Sequence, residues 1–369
     1  MMAKDRTISD NQLAALSFVL MLSPALRLFP AAAAGSAGRS APLAALLSFF
    51  PAALYLYLSC RAAARRREGE GLCALIARAL PGRVGRLTLG LLWGWLLVYA
   101  GFVLRSGADR FIVAVYPGAP PAFFVLTMAA AALAAALAPY RDAARTAKLV
   151  LPAVAGVLAL VLFSALGDLR AENLLPLRPE SVKGLVSGAL PGFDVLVWTV
   201  WAPAFALGEA KADAPSFRKL LGALALACAV LALMSLAVVG SFGAPLAASL
   251  SWPFFSLVRN LVFLRSVERV EALVVALWVF PDFLIVSLFL RAAHEALSLS
   301  LGRRLPVLSE KRASLPLCAL VCCAFALLAA PDAAALSRLS RTVIPAANLF
   351  FALVFFPAIL LTGRRRGRL

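Results

Sequence analysis

Residues 12–35 read QLAALSFVLMLSPALRLFPAAAAG, an apolar run with a Ser-Pro step near its centre. A helix of about 20 mostly apolar residues is long enough to cross the hydrocarbon core of a bilayer. Proline has no N–H to donate and clashes with the preceding turn, so it kinks or breaks a helix. The stretch therefore predicts a membrane-spanning helix that is broken at Ser23-Pro24.

Further apolar runs follow the first, and together they predict about ten spans. Their expected bounds are residues 41–62, 87–114, 121–138, 147–166, 187–207, 219–240, 270–290, 314–330 and 342–362. The chain is 63% hydrophobic, and its runs show no alternation of apolar and polar residues. In lipid every backbone polar group needs a partner within the protein, which such runs provide only as helices. We therefore expect an all-α polytopic membrane protein, a single transmembrane domain over residues 1–369 with the lipid bilayer as its main solvent.

The formal net charge of +18 comes from 36 Lys and Arg residues that lie mainly between the apolar runs. Roughly two thirds of them fall on one face of the membrane if the N-terminal tail is cytoplasmic, and this is the bias of cytoplasmic loops. We therefore expect both tails, residues 1–11 and 363–369, to be cytoplasmic. The basic residues form no patch interleaved with aromatic side chains, so we expect no nucleic-acid partner.

The sixth span repeats the irregularity of the first. Residues 187–207 read SGALPGFDVLVWTVWAPAFAL, with Gly188 and Pro191-Gly192 near the start. Dividing the chain into repeats of five spans, residues 12–166 and 187–362, puts the two irregular spans at corresponding places. In transporters built from inverted repeats, paired helix breaks expose backbone dipoles to substrate near the bilayer midplane. We therefore expect a ligand site at these breaks, although proline and glycine also merely kink membrane helices.

The predicted ligand-binding residues lie on the first, third and sixth spans. They are Ser23, Pro24, Ala25, Tyr99, Gly192, Asp194 and Trp198. Asp194 is a candidate hydrogen-bond acceptor or cation partner, or else an interfacial acid. Arg27 and Arg105 are candidate partners for Asp194 or for a ligand carboxylate, unless they extend outward to the interface. Tyr99 is alternatively a packing residue or part of an interfacial belt.

The eighth span carries a polar pattern. Glu271, Val275, Trp278 and Asp282 recur at spacings of four, three and four, which places them on one helical face. Because acids are not expected to face lipid, this face should meet the bundle interior or a wet cavity. The candidates for polar coupling within the bundle are Arg105, Glu271, Trp278 and Asp282. Glu271 is alternatively an interfacial residue paired with a neighbouring arginine.

Two connecting segments have apolar patterns of their own. Leu72, Leu75, Ile76 and Leu80 recur at helical spacing in a basic loop, which predicts either a helix on the inner leaflet or an ordinary interfacial loop. Residues 250–264 are apolar but too few to cross the membrane. This second segment predicts a re-entrant or surface helix.

The sequence contains no motif typical of an enzyme. A nucleotide-binding loop, metal-ligand spacing and a nucleophile near a histidine are all missing from the sequence. The single histidine, His294, follows Arg291 at a span end, so we expect it to be solvated rather than a ligand or proton relay. We therefore expect no catalysis, no cofactor and no metal.

Several short stretches together resemble one known family. They are Ile8-Ser9 and Gln12, Ala144-Arg145-Thr146, Asp168-Leu169, Asn173-Leu174-Leu175-Pro176, Trp252-Pro253, and Glu268-Arg269-Val270-Glu271-Ala272-Leu273 leading to Trp278. Pro30 is also expected to close the first span at that family's spacing. With these residues the chain resembles the spore germination permease family, a branch of the amino acid, polyamine and organocation transporters.

The resemblance implies a ten-span, five-plus-five inverted repeat of the LeuT or APC type in the spore inner membrane. It also implies assembly with a germinant receptor A subunit and a C subunit. In such a complex the B subunit resembles an amino-acid transporter repurposed to sense small germinants. The family typically has a Gly-x-Gly pattern where this chain has Ser23, Pro24 and Ala25, and Asp194 aligns approximately with a Gly-Glu pair.

Three functions remain open from the sequence. The first is a receptor B subunit that binds a small nutrient germinant, with an amino acid the expected ligand, to trigger spore germination. The second is a working amino-acid permease, coupled to protons or cations through Asp194, Glu271 or Asp282. The third is a scaffold subunit of the receptor complex whose pocket has lost its ligand.

Overall fold

The computed structural model describes residues 7–80, 82–176, 181–210, 216–260, 270–302 and 304–353. Side chains are described for these residues except 23, 114, 199, 201, 202, 270–273, 275 and 276. This part of the chain is helical apart from turns and one backbone bridge between Ile8 and Ala210.

The longer helices cover the predicted spans, although α6 begins seven residues before the expected 147 and α13 runs eleven residues past the expected 290. The helices are α1 (Asp10–Ala37), α2 (Ala41–Ala63), α3 (Leu72–Ala79), α4 (Gly82–Ala114), α5 (Pro121–Ala136), α6 (Tyr140–Ala165), α7 (Ala171–Leu174), α8 (Val182–Leu196), α9 (Trp198–Ala206), α10 (Phe217–Phe242), α11 (Ala244–Ser249), α12 (Pro253–Asn260), α13 (Val270–Leu301), α14 (Lys311–Leu328) and α15 (Ala333–Arg341). Residues 343–353 are also helical and begin the tenth predicted span.

Six stretches of the described chain are helical, long and apolar enough to cross a membrane. They are Pro24–Ala63, Gly82–Val113, Tyr140–Asp168, Phe217–Phe242, Leu277–Leu301 and Lys311–Leu328. Two shorter apolar helices, Asp10–Leu22 and Pro121–Ala136, accompany them. The predicted class, an all-α polytopic membrane protein, is confirmed, while the number of ten crossings remains a prediction.

The start and end of α1 are set by local chemistry. The Ser9 hydroxyl accepts a hydrogen bond from the Gln12 N–H at 3.4 Å, and the Gln12 side chain accepts one from the Ser9 N–H at 2.9 Å. This capping box satisfies two backbone donors that the first turn leaves without helical partners. The helix ends at Gly38, whose φ of 57° suits glycine and whose N–H reaches the Ala34 carbonyl.

The predicted break in the first span is not seen. α1 runs from Asp10 through Pro24 and Pro30 to Ala37 as one helix, so Pro30 does not close it either. Ser23 lies within the helix, and its side chain is outside the described set. An unwound turn would leave backbone groups without partners among apolar side chains, because Leu22, Ala25 and their neighbours are fully buried. The helix therefore accommodates both prolines without unwinding.

The sixth span is interrupted, but later than predicted. Pro191 and Gly192 lie inside α8, and the interruption falls at Val197, between α8 and α9. There the Val200 N–H bonds to the Val197 carbonyl at 3.0 Å, which is a tighter turn than an α-helix makes. Pro203 weakens the following turn because it cannot donate a helical hydrogen bond.

Helix packing is symmetric between the two halves of the chain. α1, first in its half, packs against α10, and α8, first in the other half, packs against α2. α4 and α13 correspond to the third predicted span of each half. They make the most extensive helix–helix contact in the described part. This exchange of partners is the one expected of an inverted repeat of five plus five helices, and the bounds of the two repeats remain a prediction.

Both predicted connecting helices are present, one of them with different surroundings. α3 covers the basic loop, but Leu72, Leu75 and Ile76 are buried because α3 packs against α4, α9 and α13. Its apolar face therefore lies on the bundle and not in the inner leaflet as expected. α12 occupies most of the second segment, and residues 261–264 lie outside the described residues.

Candidate functional site

A cavity of about 380 Å³ lies between α1, α8, α11 and α15, and we call it the Asp194 cavity. It is lined by Arg27, Leu28, Ala31, Ala32, Gly35, Ser36, Pro191, Asp194, Ala248, Ser251, Ser340, Arg341 and Pro345. Gly35, Ser36 and Arg341 are exposed, so the cavity reaches the surface at the end of the bundle where α1 finishes. The first and sixth spans therefore do meet at a cavity, as predicted, although α1 is unbroken.

Arg27 is a buried cation without a hydrogen-bond partner. Its side chain is 2% exposed, and none of its three guanidinium nitrogens is hydrogen-bonded within the described structure. It lies over the Phe102 ring, whose centre is 4.9 Å from the Arg27 Cζ. A cation over a ring face gains some attraction, but it leaves all five N–H donors unused. Arg27 is thus able to bind an anionic group.

Asp194 is a buried acid with one oxygen free. Its Oδ2 accepts a hydrogen bond from the Asn348 side-chain amide at 3.3 Å, while its Oδ1 has no hydrogen-bond partner in the described structure. Asp194 is 2% exposed, so the predicted alternative of an interfacial acid is wrong. A buried carboxylate with unused acceptor capacity is costly unless another group supplies a donor. Asp194 is thus able to bind an ammonium or another donor.

Two other buried acids at this end of the bundle already have cationic partners. Asp109 lies 3.6 Å from Arg105 along α4 and also accepts a hydrogen bond from the Trp252 indole at 3.1 Å. Asp282 forms a close ion pair with Arg110. Asp109 and Asp282 thus each have an arginine partner. Arg27 and Asp194 form no ion pair in the described structure.

Arg105 does not pair with Asp194 or face the cavity. Its Nε donates to the Ala330 carbonyl at 2.7 Å, and its Nη2 reaches the Pro331 carbonyl at 3.4 Å. These carbonyls follow α14 and would otherwise lack helical partners. Arg105 therefore does not contact Asp194, one of its predicted partners. It holds the end of α14 to α4 instead.

Tyr99 and Trp198 lie against each other, away from the lining of the Asp194 cavity. Their ring centres are 4.4 Å apart, and both side chains are buried. Neither the Tyr99 hydroxyl nor the Trp198 indole N–H has a hydrogen-bond partner in the described structure. The structure thus supports the packing alternative for Tyr99 and brings Trp198 into the same cluster.

Gly192 serves close packing. A Cβ at this position would lie 2.6 Å from the Ser48 Oγ and 2.9 Å from the Phe29 Cε2. Only glycine therefore lets α8 approach α1 and α2 this closely. Pro24 and Ala25 lie within α1, where Ala25 is fully buried, and neither lines the cavity.

The predicted face of the eighth span does meet the bundle interior. Trp278 is 1% exposed and packs on the Phe254 ring at 5.4 Å, and Asp282 is fully buried. Glu271 lies in the first turn of α13, and its side chain is outside the described set. The face therefore contributes packing and the ion pair with Arg110. Neither Trp278 nor Asp282 lines the Asp194 cavity.

A second cavity, of about 340 Å³, lies at the other end of the bundle, and we call it the far cavity. Its lining includes Tyr140, Phe205, Glu209, His294 and Glu295. His294 is only 6% exposed, and its Nδ1 faces the Ser314 hydroxyl. The prediction of a solvated histidine is therefore wrong, because α14 covers this part of α13.

Sequence analysis missed several residues of the Asp194 cavity. Asn348, which holds Asp194, is a lone amide inside an apolar run, and an intramembrane polar side chain is itself a signal of function. Ser251, Ser340 and Arg341 lie in connecting segments, where sequence alone gives no partner. No group of three His, Cys, Asp or Glu side chains within the described residues could hold a metal ion.

The helical bundle has the fold of a class of membrane transporters. The fold is similar to that of Mhp1, a nucleobase-cation-symport-1 family transporter solved in a closed conformation with bromovinylhydantoin bound, at 15% identity and a TM-score of 0.67. That alignment covers 94% of this chain and 76% of Mhp1. MhsT in complex with L-phenylalanine is similar at 13% identity and a TM-score of 0.63, covering 94% of this chain and 88% of MhsT.

Sequence comparison then gives the particular family. Residues 7–334 match the family described as "Spore germination protein", and the chain belongs to this family. No curated protein matches the chain significantly. The resemblance noted in the sequence and the LeuT-like fold expected from it are therefore confirmed.

Proposed function

We propose that this chain is the B subunit of a spore germinant receptor and that it binds a small amino acid in the Asp194 cavity. The observation that carries the proposal is the unpaired Arg27 guanidinium in the same cavity as the half-satisfied Asp194 carboxylate. A zwitterion brings a carboxylate for Arg27 and an ammonium for Asp194. It would give both buried groups charge-assisted hydrogen bonds, which are roughly twice as strong as neutral ones.

The size of the cavity supports a small ligand. Its volume of about 380 Å³ is near the lower end of the roughly 300 to 1,000 Å³ found for small-molecule pockets. The two solved structures of similar fold hold molecules of this class, a hydantoin in one and L-phenylalanine in the other. The location between the first and sixth spans also agrees with the site expected for an inverted-repeat transporter.

The proposed setting follows from the family and from the distribution of charge. In it the chain lies in the spore inner membrane, with both tails cytoplasmic, and assembles with A and C subunits. The Asp194 cavity opens where α1 ends, so this orientation places its mouth on the outer side, from which a nutrient arrives. A ligand that binds one conformation better than another shifts the complex toward it, which signals without net transport.

The test is a nutrient screen of spores that lack this chain and are complemented with defined variants. Each amino acid is added singly, and germination is followed as loss of optical density. We expect the deletion to abolish the response to one amino acid or a few similar ones. Asp194→Asn and Arg27→Gln should each raise the concentration needed for half-maximal germination at least tenfold, because each removes one charge from the cavity.

The matched control is Asp168→Asn, an acid at the same end of the bundle that is exposed and lines neither cavity. It should respond like the wild type. Unchanged responses in the Asp194 and Arg27 variants, with the complex still assembled, would contradict the proposal and favour a scaffold subunit. Uptake of the labelled amino acid by vesicles that contain only this chain would favour a working permease instead.

A further inference from the structure

The Asp194 cavity and the far cavity are linked by the consecutive helices α8 and α9. α8 and α9 carry Asp194 at one end and Phe205, which lines the far cavity, at the other. At 1.5 Å of rise per residue, these two residues are roughly 16 Å apart along the axis. What lies in this interval decides whether the two cavities are connected.

Among the described side chains, four aromatic ones lie in this interval and contact one another. The Trp198 ring lies 4.4 Å from Tyr99 and 5.0 Å from Phe289, measured between ring centres. Phe289 in turn lies 5.7 Å from Tyr99 and 6.2 Å from Phe205. All four side chains are at most 6% exposed. The cluster thus joins α4, α9 and α13, the central helices of the bundle.

Each side of this cluster is one contact away from a cavity. Trp198 follows Asp194 by four residues, and Tyr99 lies 6.2 Å from Phe102, the ring beneath the Arg27 guanidinium. On the other side, Phe205 belongs both to the cluster and to the lining of the far cavity. A polar or charged solute moving along α8 and α9 from one cavity to the other would therefore meet these rings.

We propose that Tyr99, Trp198, Phe289 and Phe205 form an aromatic barrier that separates the two cavities and closes the chain to protons and small ions. An apolar constriction blocks permeation because water and ions lose their hydrogen bonds within it. With the barrier closed, the two cavities do not form a continuous path through the protein. Removing the rings should join the cavities, because large-to-small changes in a packed interior leave a space that the surroundings refill only in part.

The test measures proton flux through the full-length chain in liposomes. A potassium gradient with valinomycin sets the membrane potential, and a trapped pH-sensitive dye reports proton entry. We expect wild-type liposomes to match protein-free ones, and the double variant Trp198→Ala, Phe289→Ala to conduct at least tenfold faster. Trp198→Phe keeps a ring in the barrier and should remain closed. None of these measurements needs a ligand, so their outcome is independent of the proposed function.

The matched control is Phe254→Ala, a fully buried aromatic that packs on Trp278 and lines neither cavity. It should lose similar packing without conducting. If the alanine pair does not fold, Trp198→Leu with Phe289→Leu keeps apolar volume and should conduct to a smaller extent. The proposal is wrong if folded barrier variants, shown by a single gel-filtration peak, conduct no more than the wild type, or if Phe254→Ala conducts equally.

Discussion

Arg27 and Asp194 line one cavity, and yet they form no ion pair with each other within the described structure. The Arg27 guanidinium lies over the Phe102 ring, and one Asp194 oxygen accepts a hydrogen bond from the Asn348 amide. A buried charge without a partner destabilises the folded protein. The ligand-free protein therefore carries a cost that a zwitterion in the cavity would offset.

Removing the Arg27 charge should stabilise the ligand-free protein and abolish its response to ligand. Methionine keeps much of the side-chain volume while removing an uncompensated guanidinium, so Arg27→Met should raise Tm by about 2 °C or more. The wild type should gain further stability from the amino acid found in the germination screen, because a ligand that binds only the folded state stabilises it. The variant should gain none. Differential scanning fluorimetry of the purified chain, with and without that amino acid, measures both effects.

Arg170→Met provides the comparison for this prediction. Arg170 is exposed at the same end of the bundle, so its replacement should change neither Tm nor the shift caused by the amino acid. A lower Tm for ligand-free Arg27→Met would contradict the interpretation of Arg27 as an uncompensated charge.

Removing one partner of the Arg110–Asp282 ion pair should destabilise the fold, whereas replacing both partners with apolar residues should not. Both side chains are at most 5% exposed, so Asp282→Ala leaves a buried guanidinium without its counter-ion. Breaking such a pair typically costs about 3 to 5 kcal/mol, whereas replacing both partners with apolar residues is often neutral or stabilising. We therefore expect Asp282→Ala to lower Tm strongly and Arg110→Met with Asp282→Leu to restore most of it. A double variant no more stable than Asp282→Ala would show that Asp282 acts through other neighbours.

Gly192 should tolerate no side chain. Its replacement by alanine puts a Cβ within 3 Å of Ser48 and Phe29, and overpacking of this kind costs about 1 to 3 kcal/mol. Gly156 in α6 has nothing within 4 Å of the corresponding position, so Gly156→Ala should be neutral or stabilising. Thermal unfolding of the two variants should therefore shift in opposite directions or differ by several degrees. Equal Tm values would mean that α8 moves away from α2 at little cost.

Much of the fold was predictable because length and hydropathy decide which segments enter lipid. The apolar runs predicted the long helices, and Ser9 with Gln12 marked the start of α1. The state of Pro24 was not predictable, because a proline kinks or breaks a helix according to the packing around it. α1 stays continuous where neighbouring helices exclude any other partner for its backbone.

The candidate site was predicted in part for a related reason. Asp194 and Arg27 were identified since buried charges are rare in membrane spans and call for partners. Their actual neighbours come from segments far away in sequence, such as Asn348 and Ser251. Sequence shows that burying a charge is costly but does not show which groups contact that charge. For the same reason, the alternatives considered for Arg105 did not include its actual partner, the Ala330 carbonyl.

Glu209 should hold the far end of the bundle together. Its carboxylate accepts a hydrogen bond from Arg291 on α13 and one from the Arg141 N–H at the start of α6, both at 3.0 Å. Its backbone carbonyl accepts a bond from the Ile8 N–H at 2.9 Å, so three segments converge on this residue. Glu209→Ala removes both carboxylate contacts and should cost about 1 to 3 kcal/mol, since hydrogen bonds to charged groups are among the stronger ones. Amide hydrogen exchange should accelerate at residues 7–10 and 207–210, whereas Glu310→Ala, an exposed acid at the same end, should leave it unchanged. Unaltered exchange in both variants would mean that the Ile8 bridge and the surrounding helices close this end without the carboxylate.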